Sequence, residues 1–315
     1  MIRNLFIVAF IILNVSCSKS ESKDDVPEKV VQNDTINIIS FNMWHGGDAG
    51  GQPLTKSIEV IRSVKGGIVG VQESAGYGDP RPDNSAIIAG NMGWRQFDQG
   101  SYDGIMTKYQ IVETLPSKRG AKIKIDEDKF IWFFNCHFAY IPYQPYQLGH
   151  KKYGDYPFID TEEEAIKWAE DTRLHQLEAF LKEMEQVADE GWPVVLTGDF
   201  NEPSHQDWTQ KAADAGIVQL KVEWPCTKLL VDNGYIDAYR NANKDEVNKP
   251  GKTWSSIQTP GEIHDRIDFI FYKGYQLQLT GANTIGEKSG LSDIGIELYP
   301  SDHRAVVASF IWADE

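Results

Sequence analysis

Asn42, Glu73, Asn135, His137, Asp199, Asn201, Asp268, Asp302 and His303 share one property: each stands at or next to the end of a short apolar run. The clearest case is the run Pro193-Val194-Val195-Leu196-Thr197, which stops at Gly198-Asp199-Phe200-Asn201. Such a run reads as a buried strand, and Gly198 is expected to let its end turn sharply. Asp199 and Asn201, two apart on extended chain, share a face. The carboxylate can bind a metal or hold a water, and the carboxamide can donate to an anionic oxygen. That combination is phosphate-ester chemistry. Ile68-Val69-Gly70-Val71-Gln72-Glu73 repeats the pattern, so two buried strands can aim carboxylates at one pocket. The collected groups are carboxylates, amides and imidazoles with no cysteine at ligand spacing, which argues against a soft zinc site. Oxygen-rich sets of this kind suit Mg²⁺ or Mn²⁺. No serine or cysteine stands in an elbow motif, which leaves water as the attacking group.

The elements that must position these groups follow from periodicity. Thr35 to Asn42 predicts a strand, and Met43 to Pro53 a loop. Leu54, Ile58, Ile61 and Val64 mark an amphipathic helix stopped by Lys65-Gly66-Gly67. Trp94 to Phe97 and Gly104 to Val112 read as shorter strands, and Phe130 to Phe138 as a core strand with Asn135 and His137 on one face. Ala139 to Asp160 is an aromatic insertion with no regular pattern, carrying Tyr140, Tyr143, Tyr146 and Tyr153. Its tyrosines either offer flat surfaces to a sugar, base or aryl group or pack the loop onto the body. Thr161-Glu162-Glu163-Glu164 opens a long helix to Ala188 with a capping box. Arg173 and Gln176 interrupt its apolar stripe and are expected to face solvent. Asp207 to Ala215 predicts a further helix. Asp268 interrupts the strand Arg266 to Tyr272 and needs a partner, for which His303, ahead of the last strand Ala305 to Trp312, is the candidate. His45, His205 and Arg173 lie near these motifs, whereas His150, His175 and His264 are read as structural or exposed.

The 315-residue chain is 41% hydrophobic and 24% charged, ordinary for a globular domain, and no internal repeat divides it. Its net charge of −15 opposes attraction to polyanions, although bound cations would reverse the field locally. At the N-terminus Arg3 precedes an apolar stretch, Leu5 to Leu13, too short to span a bilayer, and Cys17 follows. The segment resembles a bacterial lipoprotein signal, with Cys17 as the lipidated residue and Ser18 after it implying the outer membrane of the cell envelope. Residues 1–17 are thus the expected signal peptide, 18–33 a flexible tether, and 34–315 a single domain. Cys136 and Cys226 are expected as buried thiols, an oxidising compartment being where they could pair.

Ser40-Phe41-Asn42, Val71-Gln72-Glu73, Asn135-Cys136-His137, Gly198-Asp199-Phe200-Asn201, Arg266-Ile267-Asp268-Phe269-Ile270 and Ser301-Asp302-His303 occur in this order along the mature chain. Together they resemble the endonuclease/exonuclease/phosphatase superfamily. The resemblance implies an α/β fold: a four-layer α/β sandwich of two mixed β-sheets packed face to face with flanking helices. It also implies roles. Glu73 is the principal metal ligand, with Asn42 and Asp302 in the metal shell. Asp199 orients or deprotonates water, Asn201 holds a phosphate oxygen, and Asp268 fixes His303 against the phosphoryl group. His137 contacts a phosphoryl oxygen or protonates the leaving group, and either Asp199 or His303 is the formal base. Asn135 and Tyr109 are implied phosphate contacts. Where the family commonly has Ser-Arg-Tyr-Pro-Ile, this chain has Thr107-Lys108-Tyr109-Gln110-Ile111.

The function expected is a divalent-metal-dependent phosphodiesterase, exported and lipid-anchored, monomeric, acting on a small or lipid-linked phosphoester. Its membrane contact is through lipidated Cys17 only. Nucleic acid is the less favoured partner, since the insertion lacks a Lys/Arg stripe. An extracellular nuclease or a phosphomonoesterase would use the same groups, and a non-catalytic surface protein binding a glycan or phosphoryl ligand is the alternative of a different class.

Overall fold

The computed structural model describes residues 35–313, so the expected signal, Cys17 and the tether lie outside the described residues. Its first strands are β1 (Ile36–Asn42), β2 (Ile68–Gln72), β3 (Arg95–Gly100) and β4 (Asp103–Thr107). Next come β5 (Gln110–Thr114), β6 (Gly120–Asp126), β7 (Lys129–His137), β8 (Val194–Asp199), β9 (Ile236–Asp237) and β10 (Asp268–Lys273). The last are β11 (Leu277–Glu287), β12 (Ile294–Ile296) and β13 (Ala305–Trp312). They form two mixed sheets, in the orders β12-β11-β13-β1-β2-β4-β3 and β5-β6-β7-β8-β10-β9. The helices are α1 (Leu54–Ser63), α2 (Asn84–Met92), α3 (Gln144–Leu148), α4 (Glu162–Ala169), α5 (His175–Ala188), α6 (Gln210–Asp214), α7 (Pro225–Asp232) and α8 (Ala238–Ala242).

Alternation along each strand explains the layering. Ile36 and Ile38 of β1 share one core with Ile131 and Phe133 of β7, Val195 of β8 and Ile270 of β10. That core is the seam between the sheets. The intervening residues point outward: Ile39 and Phe41 meet Ile58 and Ile61 of α1 and Ile88 of α2. On the far side, Trp132, Phe134, Leu196 and Phe271 meet Leu177, Leu181 and Met184 of α5 and Leu230 of α7. The result is helix, sheet, sheet, helix, with the central strands β1, β2, β7, β8 and β10 buried on both faces and therefore largely apolar.

The same parity places the polar ends. Asn42 continues the inward series of β1, Asn135 and His137 that of β7, Thr197 and Asp199 that of β8, and Asp268 that of β10. Register then brings the ends together: β1 runs parallel to β2 with Asn42 beside Gln72, β7 runs parallel to β8 with His137 beside Asp199, and β10 is antiparallel to β8 with Asp268 beside Asp199.

Several expectations are corrected. Gly104 to Val112 is not one strand, because the chain turns at Lys108-Tyr109 and carries β4 into one sheet and β5 into the other. Gly198 does not make the turn. A side chain there would meet Cys136 O and Sγ at 2.4 Å, so glycine permits the close approach of β7 and β8. The turn falls instead at Asn201, whose φ is 49°. The aromatic insertion contains α3, and the long helix is interrupted by a π turn at Glu170–Leu174. Arg173, in that turn, is wholly buried rather than solvated, and Gln176 accepts from Ala139 N at 3.2 Å. Cys136 and Cys226 are both free and buried.

Candidate active site

Asp199 is the centre of the site and is 1% exposed. Its Oδ1 accepts from Asn201 N at 2.9 Å, and its Oδ2 accepts from Asn42 Nδ2 at 3.0 Å. Two imidazoles flank the same Oδ2: His137 Nε2 at 3.6 Å and His303 Nε2 at 3.7 Å. His303 Nδ1 lies 2.9 Å from Asp268 Oδ2, and the Trp254 ring packs over the imidazole with centroids 4.9 Å apart. Burial opposes charge on His303, but the carboxylates of Asp268 and Asp199 more than reverse this and hold its pKa well above the ordinary value. The ring is therefore held as an imidazolium between two acids.

Glu73 lines the same cavity and accepts only long contacts, from Asn42 Nδ2 and His45 N at 3.3 Å each. Asp302 Oδ1 is buried and has no hydrogen-bond partner among the described residues. Burial, with Glu73 and Asp199 nearby, pushes the Asp302 carboxyl up to about 6 despite the opposing charge of His303. Both acids line a cavity of about 530 Å³ together with His137, Asp199, Asn201 and His303. One oxygen each of Asp199 and Asp268 and a ring nitrogen of His303 lie within 4.8 Å of one another, close enough for one metal ion, but the ring could ligate it only after losing its proton. The excess of carboxylates over cations, an orphaned buried oxygen on Asp302 and an underused Glu73 all fit a hard divalent cation on the Glu73–Asp302 side.

The backbone around the cavity is unusual. Trp44, His45, Glu73 and Asn201 all have positive φ, between 49° and 54°, directly after β1, β2 and β8. Side chains resist this conformation, and such residues concentrate at functional sites held by surrounding structure. Here hydrogen bonds impose it: Gly46 N donates to Glu73 O at 2.6 Å, and Asn201 N donates to the Asp199 carboxylate.

The structure thus brings Asn42, Glu73, His137, Asp199, Asn201, Asp268, Asp302 and His303 together. Asn42 presents its amide nitrogen to both Glu73 and Asp199, while its Oδ1 accepts from Trp44 N at 3.0 Å. As placed its amide nitrogen spaces the two carboxylates, and its Oδ1 keeps one lone pair beyond the Trp44 bond. Asn201 spends one N–H on Phe138 O at 3.1 Å, leaving the other for a ligand. Asn135 is not a phosphate contact. Its Nδ2 donates to Val71 O, Gln99 Oε1 and Gly104 O, and its Oδ1 accepts from Gln72 Nε2 at 2.6 Å and Thr197 Oγ1 at 3.0 Å. All its capacity is used in tying the two sheets. Gly70 opposite it leaves that room, since an added Cβ would meet Thr197 Oγ1 at 2.0 Å. Tyr109 is at the wrong end. Antiparallel pairing sets Thr107 beside Ile68, the first residue of β2, while Glu73 follows the last. Arg173 and His205 also stay out of the cavity, His205 bonding Thr227.

Asp103 was missed by sequence reasoning. It begins β4, two residues before inward-facing Ile105, and its Oδ1 lies 3.8 Å from His137 Nδ1. Burial pushes its carboxyl up to about 7 even though His137 pulls the other way. The inward alternation of Asp103 with Ile105 is the signal that could have found it. Trp44 and Trp254, which line the cavity, stand in glycine- and serine-rich loops that carry no such signal.

Comparison with known proteins agrees with this architecture. An uncharacterized protein of Caenorhabditis elegans is 28% identical over 324 residues, covering 96% of this chain and 98% of its own length. Nocturnin of Rattus norvegicus is 27% identical over 126 residues, which are 39% of this chain and 26% of nocturnin. Among solved structures, an endonuclease/exonuclease/phosphatase family protein of Bacteroides thetaiotaomicron superposes with TM-score 0.55 at 15% identity, over 90% of this chain and all of that one. TDP2 of D. rerio, solved with a single-strand DNA product, gives 0.53 at 18% identity, over 88% of this chain and 98% of that one. These structural likenesses concern the fold. With the profile of the Endonuclease/Exonuclease/phosphatase family matching residues 39–303, the chain belongs to that family.

Proposed function

We propose that this protein is a divalent-metal-dependent phosphodiesterase that uses water as nucleophile, with Mg²⁺ or Mn²⁺ as its cation. The observation that carries the reading is Asp199 Oδ2, buried between His137, His303 and Asn42 at the meeting point of both sheets. Glu73 and Asp302 would hold the cation, which when bound supplies neutralisation of charge on the phosphoryl oxygens. Asp199 orients the attacking water and accepts its proton, because His303, held protonated by Asp268, is poor as a base. The imidazolium of His303 and the free N–H of Asn201 instead meet the negative oxygens that form as water attacks. His137, 21% exposed at the cavity wall, stands where it can donate to the departing oxygen. Asp103 Oδ1, 3.8 Å behind its Nδ1, sets a carboxylate beside the ring.

A small or lipid-linked ester fits better than a long nucleic acid, since the chain carries a net charge of −15. From the N-terminal sequence we propose that the enzyme is exported and anchored in the outer membrane through lipidated Cys17. The test of the activity uses the soluble protein from residue 34 on bis(p-nitrophenyl) phosphate and its matching monoester, with Mg²⁺, Mn²⁺ or chelator. Metal-dependent diester cleavage, abolished by Asp199→Ala and by His303→Ala, is the expected result. Preference for the monoester moves the protein to a phosphatase reading, and activity surviving both substitutions removes the assignment of Asp199 and His303.

A further inference from the structure

One wall of the cavity has no part in the chemistry just described. It is built by the insertion between β7 and α4, whose Tyr140, Tyr143, Tyr146 and Tyr153 all line the same space as Glu73, Asp199 and His303. Two of these rings form a fixed base. Tyr143 is 5% exposed and donates to Asp265 Oδ2 at 2.8 Å. Tyr146 is 6% exposed, donates to Glu262, and is covered by Lys151 Nζ at 4.1 Å from its centroid. The two rings meet at 90° with centroids 4.8 Å apart. The other two are open: Tyr153, 41% exposed, leans on Tyr146 at 82°, and Tyr140, 58% exposed, leans on Tyr153 at 63°. Neither open hydroxyl makes a hydrogen bond among the described residues.

Open rings that line a cavity over a fixed base form a surface on which a ligand can pack. Their geometry narrows the ligand. Rings inclined at 63° with centroids 6.3 Å apart make a corner, not the parallel pair that would sandwich a flat base or aryl group. A corner takes a saturated ring, which lays its positive C–H face on one electron-rich ring and turns its hydroxyls to the edge of the other. The open hydroxyls of Tyr140 and Tyr153, which line the same space, can bond those hydroxyls. The charge pattern narrows it further. No Lys or Arg among the described residues lines the cavity, so beyond the imidazoles that face the reacting phosphate a second phosphate or a nucleic-acid backbone has no cationic side chain in the lining.

We infer that Tyr140 and Tyr153 form a subsite for an uncharged pyranose ring, so that the substrate is a phosphodiester of a hexose. The inference rests on the phosphodiesterase reading for the reacting group and adds the identity of the alcohol. Three methyl phosphodiesters test it, made with glucose through its 6-oxygen, with glycerol, and with thymidine through its 5′-oxygen. The glucosyl ester is expected to exceed the glyceryl ester in kcat/KM by about tenfold or more, and Tyr140→Ala and Tyr153→Ala each to lower that ratio about fivefold. Calorimetric binding of glucose 6-phosphate against glycerol 3-phosphate repeats the comparison without turnover. If no diester is cleaved but glucose 6-phosphate binds more tightly and loses that advantage in both variants, the subsite stands and the phosphodiesterase reading falls. Cleavage without glucosyl preference, or with a thymidyl preference that the variants abolish, overturns the subsite and leaves the activity standing. Neither cleavage nor preferential binding overturns both.

Discussion

Replacing Arg173 by methionine should cost the protein both stability and its aromatic wall. The guanidinium is fully buried on the π turn between α4 and α5, where it donates to Ala139 O at 2.8 Å, Pro142 O at 2.6 Å and Gln144 Oε1 at 2.5 Å. These acceptors belong to the segment that carries Tyr140 and Tyr143, so one side chain ties the insertion to the helix layer. Methionine keeps most of the volume and removes all the donors. Each buried acceptor left unpaired costs about 1–3 kcal/mol, and water admitted to the gap recovers part of it, giving roughly 3–5 kcal/mol in total. The same change removes the positive charge that favours ionised Glu202, whose carboxyl would then be harder to ionise. For a domain of this size the loss corresponds to a Tm lower by roughly 6–15 °C. Differential scanning calorimetry of wild type and Arg173→Met reads it directly, and limited proteolysis reports whether cleavage concentrates between Tyr140 and Gln144. A Tm within about 2 °C of wild type, or proteolysis distributed as in wild type, would refute the claim that Arg173 holds the insertion.

Glu202→Gln should stabilise the protein at alkaline pH. Glu202 is fully buried with Oε2 unpartnered, and burial, only partly opposed by Arg173, pushes its carboxyl from 4.5 to about 7. A raised folded-state pKa contributes stability that is fully present below about 4.5 and lost as pH passes about 7, so the variant should gain up to roughly 3 kcal/mol on wild type between pH 5 and pH 8, measured by urea denaturation. Asn135→Ala should cost about 2–4 kcal/mol of stability by taking the side-chain partner from buried Gln72 Nε2 and Gln99 Oε1, with kcat of the folded enzyme within about tenfold of wild type. Tyr109→Phe should leave KM within about twofold. Glu73→Gln should raise the Mg²⁺ or Mn²⁺ concentration for half-activity by about tenfold or more, read by metal titration of initial rates. An unchanged metal requirement would place the cation elsewhere.

What the sequence made legible was whatever alternation encodes. β1, β7, β8 and β10 announce themselves as apolar runs, and the residues at their ends are forced inward by the parity that buries Ile38, Phe133, Val195 and Ile270. That is why Asp199, His137, Asp268 and Asn42 could be named before their contacts were known. Parity cannot say how far along the seam a residue lies, and this separates Asn135 from His137. The two share a face and differ by one pleat, yet Asn135 falls where the sheets still touch and His137 where they have parted. Tyr109 failed for a related reason, since a motif fixes local chain shape and not the direction in which its strand enters the sheet. Arg173 failed because burial of a charge depends on acceptors supplied from Ala139 to Gln144, some thirty residues earlier, which no helical stripe records. The same dependence makes the insertion informative. Tyr143 and Tyr146 are buried, whereas Tyr140, Tyr153, Tyr156 and Phe158 are exposed, and of these four Tyr140 and Tyr153 line the cavity. Facing the cavity beside Glu73, on a base fastened by a buried arginine, those two rings have the rigid support that the proposed ligand surface requires.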